Sequence, residues 1–100
     1  MAKGYWIGRV DVSNDEGYKP YAVANPAIFK KFGGRFVVRG GKFEAPEGTS
    51  RKRNVVIEFP SFQAALDCYN SPEYQANIKV RAPHSTADII VIEGYEGPQP

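Results

Sequence analysis

Cysteine, histidine and long apolar runs are scarce in this sequence. Its 100 residues include one cysteine, Cys68, and one histidine, His84. A lone cysteine cannot form an internal disulfide, and one histidine with one cysteine gives no spacing for a zinc site, so we expect no bound metal or cofactor. No apolar run approaches the length of a membrane-spanning helix and no cleavable signal is evident. We therefore expect a cytoplasmic protein without a membrane partner.

An excess of charge is also lacking. Thirteen Lys and Arg stand against eleven Asp and Glu, giving a net charge of +2 with both signs interspersed. This balance does not demand a polyanionic partner. Gly33-Gly34 and Gly40-Gly41 indicate turns, because neither pair opens a helix after a strand as a phosphate-binding loop does.

Residues 54–75 predict a strand followed directly by two helices. Residues 55–59 are β-branched or aromatic, as is typical of a buried strand. Ser61 is placed to cap the next helix, and Ser71 followed by Pro72 repeats that signal for another. The first of these helices carries one apolar face at i, i+3, i+4 and i+7, formed by Phe62, Ala65, Leu66 and Tyr69.

The other elements are predicted from periodicity and turn residues. Strands are expected at residues 5–12, 35–39 and 87–93. Residues 13–15, Ser-Asn-Asp, indicate a turn and helix entry, and a helix is expected within residues 16–32, starting near one of Pro20 and Pro26 and bending or restarting at the other. Gly33-Gly34 should end it. Residues 40–49 and 82–85 read as connections, and residues 72–80 as the last helix.

The resulting order, βαββαβ, predicts an α+β, ferredoxin-like fold with helices on one face of an antiparallel sheet. We expect one domain over residues 1–95 and a flexible tail at 96–100. The residues of opposite parity on each strand are also apolar: Ile7, Val37, Val56 and either Ile89/Val91 or Ile90/Ile92. A sheet that is apolar on both faces needs a second cover, and a second copy of the chain is the simplest one. This predicts a homodimer.

Several segments resemble a known family. Arg39-Gly40-Gly41, the string from Phe59 through Tyr74, and Arg81 resemble the domain of unknown function 1330 family, and the resemblance runs from Gly4-Tyr5 to Glu93-Gly94. That family is placed among the dimeric α+β barrels, relatives of small cofactor-free monooxygenases, and has no established reaction. Cys68 departs from the pattern, because a Trp is expected there. If that Trp walls a pocket in relatives, the resemblance implies a larger or differently shaped pocket here.

The candidate site is a cleft between the sheet and its helices. We expect polar-tipped side chains of the helical stripes, and of the segments that match the family, to line it: Tyr18, Tyr21, Arg39, Tyr69, Tyr74 and Arg81. Such tips among aromatic rings are typical of sites for small organic ligands. Arg39 is assigned to an anionic or carbonyl oxygen of the ligand. The alternatives are that the tyrosines form a core-facing stripe and that Arg81 caps its helix.

Four charges lie inside predicted strands: Arg9, Asp11, Arg39 and Glu58. They form either a structural ion-pair network, which could set the register of a dimer, or, for Arg39, part of a ligand site. The sequence leaves open which sheet face they occupy.

Three further residues or segments receive structural interpretations. His84 is expected to be exposed in a loop, and Cys68 to be a buried filler without an adjacent base. Residues 52–59 lack the glycines and stacking aromatics of an RNA-binding third strand, and Arg51-Lys52-Arg53 reads as a solvated loop, so no nucleic-acid partner is expected.

Two classes of function remain open. One is an enzyme, a cofactor-free monooxygenase or isomerase of a small metabolite, in which Tyr or Arg steadies a developing oxyanion. The other is a non-catalytic protein, either a binder of a small aromatic, carbonyl or anionic ligand or a purely structural dimer. No general base can be identified from the sequence.

Overall fold

Strands and helices follow one another in a βαββαβ order in the computed structural model, which describes residues 2–100. The elements are β1 (Gly4–Val12), α1 (Asp15–Lys31), β2 (Arg35–Arg39), β3 (Arg53–Phe59), α2 (Phe62–Asn70), α3 (Pro72–Arg81), a 3₁₀ turn (Ala82–His84) and β4 (Ser85–Glu93). Every predicted strand and helix is present, and most of the predicted boundaries lie within two residues of the observed ones.

The four strands form one antiparallel sheet in the order β2-β3-β1-β4. β1 and β3 are the two central strands. Along each of them the side chains alternate between the side that faces the helices and the opposite side. Trp6, Val10, Ile57 and Phe59 are all buried against the helices. The predicted ferredoxin-like α+β fold is confirmed.

The three helices begin where a short polar side chain precedes them. Asn14 accepts a hydrogen bond from the Gly17 N–H, Ser61 from the Ala64 N–H and Ser71 from the Tyr74 N–H. These bonds satisfy N–H groups that have no partner inside the helix. The two serine caps confirm the sequence prediction, whereas the cap at Asn14 starts α1 ahead of both prolines.

The expected break in α1 is wrong. Pro20 and Pro26 both lie inside one helix that runs from Asp15 to Lys31. Both prolines are exposed, and each removes one backbone donor. The buried stripe of Tyr18, Tyr21, Asn25 and Phe29 keeps helical spacing throughout and packs on the sheet and α3. Tertiary packing therefore outweighs the local cost of the prolines.

A β-bulge changes the faces of β2. Phe36 pairs with Ile57, whereas Val38 pairs with Val56, so Val37 is an extra residue between two registers. Val38, not Val37 as strict alternation predicts, lies opposite Val56. The bulge reverses the alternation of the last residues of β2 and places Arg39 on the helix-facing side.

Trp6 forms the centre of the core. Its ring lies 4.7 Å from that of Tyr74 and 5.0 Å from that of Phe29, both edge to face. Its indole N–H donates to the Ala65 carbonyl oxygen at 2.8 Å. Ala65 and Cys68 are the fully buried residues of α2. The buried face of this helix therefore lies along Ala65 and Cys68, whereas Phe62 and Tyr69, at the two ends of the predicted apolar face, are half-buried.

The opposite sheet face has no cover formed by residues 2–100. Ile90 and Ile92, which share this face with Ile7 and Val56, are 53% and 45% exposed. This decides the alternative left open for β4 in favour of Ile90 and Ile92. We call this surface the open face.

Three of the four strand charges lie on the open face. Glu58 accepts hydrogen bonds from Arg35 and Tyr5, and Asp11 accepts from Arg51 and from the Lys52 backbone N–H. The pKa of Glu58 is lowered chiefly by Arg35.

Arg9 donates to the Thr49 carbonyl oxygen. These three residues therefore serve structural contacts, and Arg39, on the other side of the sheet, is separate from them.

Two loop predictions need correction. His84 is half-buried rather than exposed: its ring lies directly over Gly17, and its carbonyl oxygen accepts from the backbone of Ser13 and Asn14. Residues 51–53 are a solvated loop only in part: Lys52 is exposed, whereas Arg51 binds Asp11 and Asp88 and residue 53 opens β3. None of the helices described is both long and apolar enough to cross a bilayer.

Candidate functional site

A cavity of about 40 Å³ lies between α1 and the helix-facing side of the sheet. Its floor is the middle of the sheet, where Gly8 of β1 lies between Val55 of β3 and Ile89 of β4. Because Gly8 has no side chain, the central strand leaves a gap under α1. A Cβ built on Gly8 would have Ile89 as its nearest neighbour, at 3.7 Å, which is an ordinary contact. We call this space the inner cavity.

The roof of the inner cavity is the buried stripe of α1. Tyr18, Tyr21, Asn25 and Phe29 line it, and their spacing on one helix face brings them together. Asn25 accepts a hydrogen bond from the Asn77 amide at 2.8 Å, which joins α1 to α3. The wall is therefore mostly aromatic with a few hydroxyl and amide tips.

Two arginines lie at the rim of the inner cavity. Arg39 ends β2, is exposed, and stacks over the Phe36 ring at 4.2 Å. Arg53 opens β3, is half-buried, and belongs to the same wall. Burial raises the pKa of Tyr18 and the neighbouring Tyr21 adds to this, whereas the charges of Arg53 and Arg81 oppose it. At neutral pH Tyr18 is therefore a neutral hydroxyl beside a cation.

A second polar cluster lies behind Tyr21. The Tyr21 and Tyr74 hydroxyl oxygens are 2.6 Å apart, and the Arg81 guanidinium lies 5.4 Å from the centre of the Tyr21 ring. Tyr74 is fully buried, and burial strongly raises its pKa, with Tyr21 adding to the effect. Tyr74 is therefore protonated across the physiological pH range and serves as a hydrogen-bond partner of Tyr21.

The six residues predicted for the site fall into two groups. Tyr18, Tyr21 and Arg39 line the inner cavity itself. Tyr69, Tyr74 and Arg81 are not part of its wall: the rings of Tyr69 and Tyr74 lie 5.4 Å apart, and both rings contact Trp6. Tyr21 connects the two groups through its hydroxyl. Arg81 lies over a tyrosine ring, with its Nε buried and without a hydrogen-bond partner within residues 2–100.

Sequence reasoning missed Gly8 and Arg53. A glycine inside the strand YWIGRVDV is a signal for a bulge or an open space, and Gly8 makes the floor of the inner cavity. Arg53 shares parity with Val55, Ile57 and Phe59, so the alternation of β3 already indicated a helix-facing position.

Cys68 does not shape the inner cavity. It is fully buried in α2 and is not among the residues of the cavity wall. Burial raises its pKa to about 12, so its thiol is un-ionised at neutral pH and a poor nucleophile. No cluster of His, Cys, Asp and Glu within residues 2–100 is suited to hold a metal ion.

A family model for a domain of unknown function (DUF1330) matches residues 3–95 of the chain. The chain belongs to the DUF1330 family. This confirms the resemblance inferred from the sequence. No protein of curated function matches this DUF1330 chain by sequence.

Solved structures share the fold at low sequence identity. A protein of unknown function from Rhodopseudomonas palustris, RPA0582, is 17% identical with a TM-score of 0.74, covering 96% of this DUF1330 chain and 85% of its own. SnoaB, a cofactor-independent oxygenase from Streptomyces nogalater, is 13% identical with a TM-score of 0.64 and 97% coverage of both chains. A dimeric ferredoxin-like protein of unknown function from Thermobifida fusca is 11% identical with a TM-score of 0.56, covering 91% and 92%. At these identities the likeness shows the fold alone.

Proposed function

We propose that this DUF1330 protein is a dimeric α+β barrel that binds a small organic ligand with a carbonyl or anionic group in the inner cavity. The observation that carries the proposal is the gap over Gly8, walled by aromatic rings and rimmed by Arg39 and Arg53. Apolar walls with a few oriented polar groups are characteristic of small-molecule sites. A purely structural domain would gain stability by filling this gap, since empty space in a core costs free energy.

A cavity-filling variant tests the location of the site. Gly8→Val places three carbon atoms in the inner cavity, and Gly8→Ala places one. The backbone can accept both side chains, because Gly8 does not have a positive φ. We expect Gly8→Val to abolish binding and Gly8→Ala to weaken it. Stability should stay within about 1 kcal/mol of the wild type, because the gain in strand propensity offsets crowding.

The assay is a thermal-shift screen of metabolites followed by titration. Trp6 is the only tryptophan of the chain and part of the cavity wall, so its fluorescence reports directly on occupancy. A ligand that binds Gly8→Val as tightly as the wild type would place the site elsewhere.

Arg39 contributes to the ligand contact at the rim. Its guanidinium is exposed and already stacked on Phe36, so solvent screens the contact. Arg39→Ala should weaken binding of an anionic ligand by about 0.5–1.5 kcal/mol, below the roughly 1.5–3 kcal/mol typical of hydrogen bonds to charged groups. Equal affinities of wild type and variant would assign Arg39 to packing on Phe36 alone.

Association through the open face completes the proposal. The exposed Ile90 and Ile92 continue an apolar strip across the sheet, and the Thermobifida fusca relative is described as dimeric. A second copy of the face would bury this strip with matching shape. Sedimentation should give a dimer for the wild type and a folded monomer for Ile90→Lys. A wild-type monomer at micromolar concentration would contradict this part of the proposal.

A catalytic role is the second candidate, and the Tyr21–Tyr74 pair favours it. Tyr21 lines the inner cavity, and its hydroxyl is hydrogen-bonded to the buried phenol of Tyr74, with Arg81 beside both. Such a donor can steady a developing oxyanion in a cofactor-free oxygenation or isomerisation. With a ligand from the screen, Tyr21→Phe should retain binding and lose oxygen uptake or isomer formation. Absence of turnover in the wild type leaves binding alone.

A further inference from the structure

Arg53 is a half-buried cation that lies beside the Tyr18 hydroxyl and forms no ion pair within residues 2–100. Its Nε is buried and has no hydrogen-bond partner within residues 2–100. None of the ion pairs formed within the same residues uses Arg53; their cations are Lys3, Lys31, Arg35 and Arg51. An unpaired charge removed from water is costly, so partly buried arginines are normally held by a carboxylate. No carboxylate within residues 2–100 forms such a pair with Arg53, although Asp15 lines the space beside it.

A larger space adjoins the inner cavity at Arg53. This outer chamber has a volume of about 370 Å³ and shares Val10, Tyr18 and Arg53 with the inner cavity. Its remaining wall includes Lys52 and Asp15. Arg53 therefore lines both the apolar cavity and the larger chamber.

The two spaces differ in what they can hold. The inner cavity, at about 40 Å³, is far smaller than the roughly 150 Å³ that accommodates a benzene ring in a protein core. It fits the end of a short aliphatic chain. In the outer chamber, the carboxylate of Asp15 accompanies two cations, Lys52 and Arg53. This balance suits a single negative charge better than a doubly charged phosphate.

We infer that the ligand is a short-chain aliphatic carboxylate whose carboxylate group pairs with Arg53 and whose apolar end lies over Gly8. A planar guanidinium binds a carboxylate through two parallel hydrogen bonds, which the Nη groups of Arg53 would donate, because its Nε is closed to solvent. The Tyr18 hydroxyl, neutral and adjacent, is a second donor to the same group. The inference rests on the proposed function and adds to it the ligand class and its specificity-determining residue.

The test compares two probes of equal size, butyrate and its neutral amide, butyramide, by the fluorescence of Trp6. In the wild type butyrate should bind about 10- to 100-fold more tightly, as expected for a charged hydrogen-bonded pair. Arg53→Gln should remove this preference. Lys52→Gln, which deletes the exposed neighbouring cation, is the matched control and should retain most of it. Equal binding of the two probes to the wild type, or an unchanged preference in Arg53→Gln, overturns the inference.

The melting temperature of an Arg53 variant distinguishes a ligand-binding role from a structural one. Removing a structural arginine should lower the melting temperature, whereas removing an unpaired ligand-binding arginine should not. Arg53→Met keeps an unbranched side chain and removes the unpaired charge, so it should melt no lower than the wild type. Butyrate should raise the melting temperature of the wild type and not that of Arg53→Met. A marked loss of stability in Arg53→Met makes the residue structural and overturns the inference.

The same experiment separates this inference from the proposed function. If butyramide binds the wild type and Gly8→Val blocks it, but butyrate gains nothing from Arg53, the cleft binds ligands and only the ligand class is wrong. If neither probe perturbs Trp6, or if Gly8→Val has no effect on either, the inference and the proposed location of the site both fail.

Discussion

Ser71 makes two buried hydrogen bonds at the junction of α2 and α3, and its loss should cost more than that of an ordinary helix cap. Its Oγ accepts from the Tyr74 N–H at 3.2 Å and donates to the Cys68 carbonyl oxygen at 2.7 Å. The residue is 5% exposed, so water cannot replace either partner. Ser61 provides a matched comparison, because within residues 2–100 its Oγ makes only the capping bond, which it accepts from the Ala64 N–H at 3.0 Å, in a less buried position.

The magnitudes follow from counting these bonds. Loss of a serine cap costs about 1 kcal/mol, and the second buried hydrogen bond adds about 0.5–1.5 kcal/mol. Ser71→Ala should therefore lower the free energy of unfolding by about 2 kcal/mol, and Ser61→Ala by about 1 kcal/mol. For a chain of this length these losses correspond to melting temperatures lower by roughly 8–16 °C and 4–8 °C.

Denaturation of the wild type and both variants measures the difference. The protein concentration must be held fixed, because association would make the transition depend on concentration. Ser71→Thr, which keeps the hydroxyl, should recover most of the loss. Equal losses in Ser71→Ala and Ser61→Ala would show that the bond to the Cys68 carbonyl contributes nothing, contrary to the count of bonds.

Three further predictions concern the open face, the thiol and the contact of α1 with α3. The pKa of Asp11 is lowered, first by the hydrogen bond from the Lys52 N–H and then by Arg51. Its contribution to folding stability is therefore present above the ordinary carboxyl pKa of about 4 and disappears as the pH falls through the lower pKa of the folded protein. In acid denaturation below about pH 4, Asp11→Asn should lose less stability than the wild type. The Cys68 thiol, fully buried with its pKa raised to about 12, should react with a thiol reagent only at the rate of unfolding, and fast labelling of the native protein would contradict its burial. Asn25→Ala removes the side-chain oxygen that accepts from the Asn77 amide and should lower the free energy of unfolding, measured with urea, by about 1–2 kcal/mol. An unchanged urea midpoint would show that the hydrogen bond from Asn77 to the Tyr21 carbonyl oxygen is enough to satisfy the Asn77 amide.

The sequence predicted the order of the elements because their signals are local. A serine before Pro72, a glycine pair after α1 and alternating apolar residues each act within a few positions. Gly33 illustrates this: it adopts a φ of +77°, which favours glycine, and its N–H donates to the Lys30 carbonyl oxygen at the end of α1. Such signals hold whatever the rest of the chain does.

The prediction failed where a local rule competed with packing. Pro20 and Pro26 are poor helix residues, yet the stripe that begins at Tyr18 and continues to Phe29 is buried along the whole of α1. The free energy of that burial outweighs two missing hydrogen bonds. His84 is similar, because its apparent loop is held against the start of α1 by backbone hydrogen bonds to Ser13 and Asn14.

Local sequence signals were therefore enough to predict the ferredoxin-like order, two of the helix caps and the apolar second face of the sheet, whereas the family was inferred from the resemblance of longer segments. Which charges face the helices depended instead on the tertiary structure. The bulge at Val37 places Arg39 at the cavity rim, and the register of β3 places Arg53 opposite α1. A change of one residue in register exchanges the two faces of a strand, and that register depends on neighbouring strands far away in the chain. The inner cavity arises in the same way, because the space over Gly8 exists only once β3, β4 and α1 surround it.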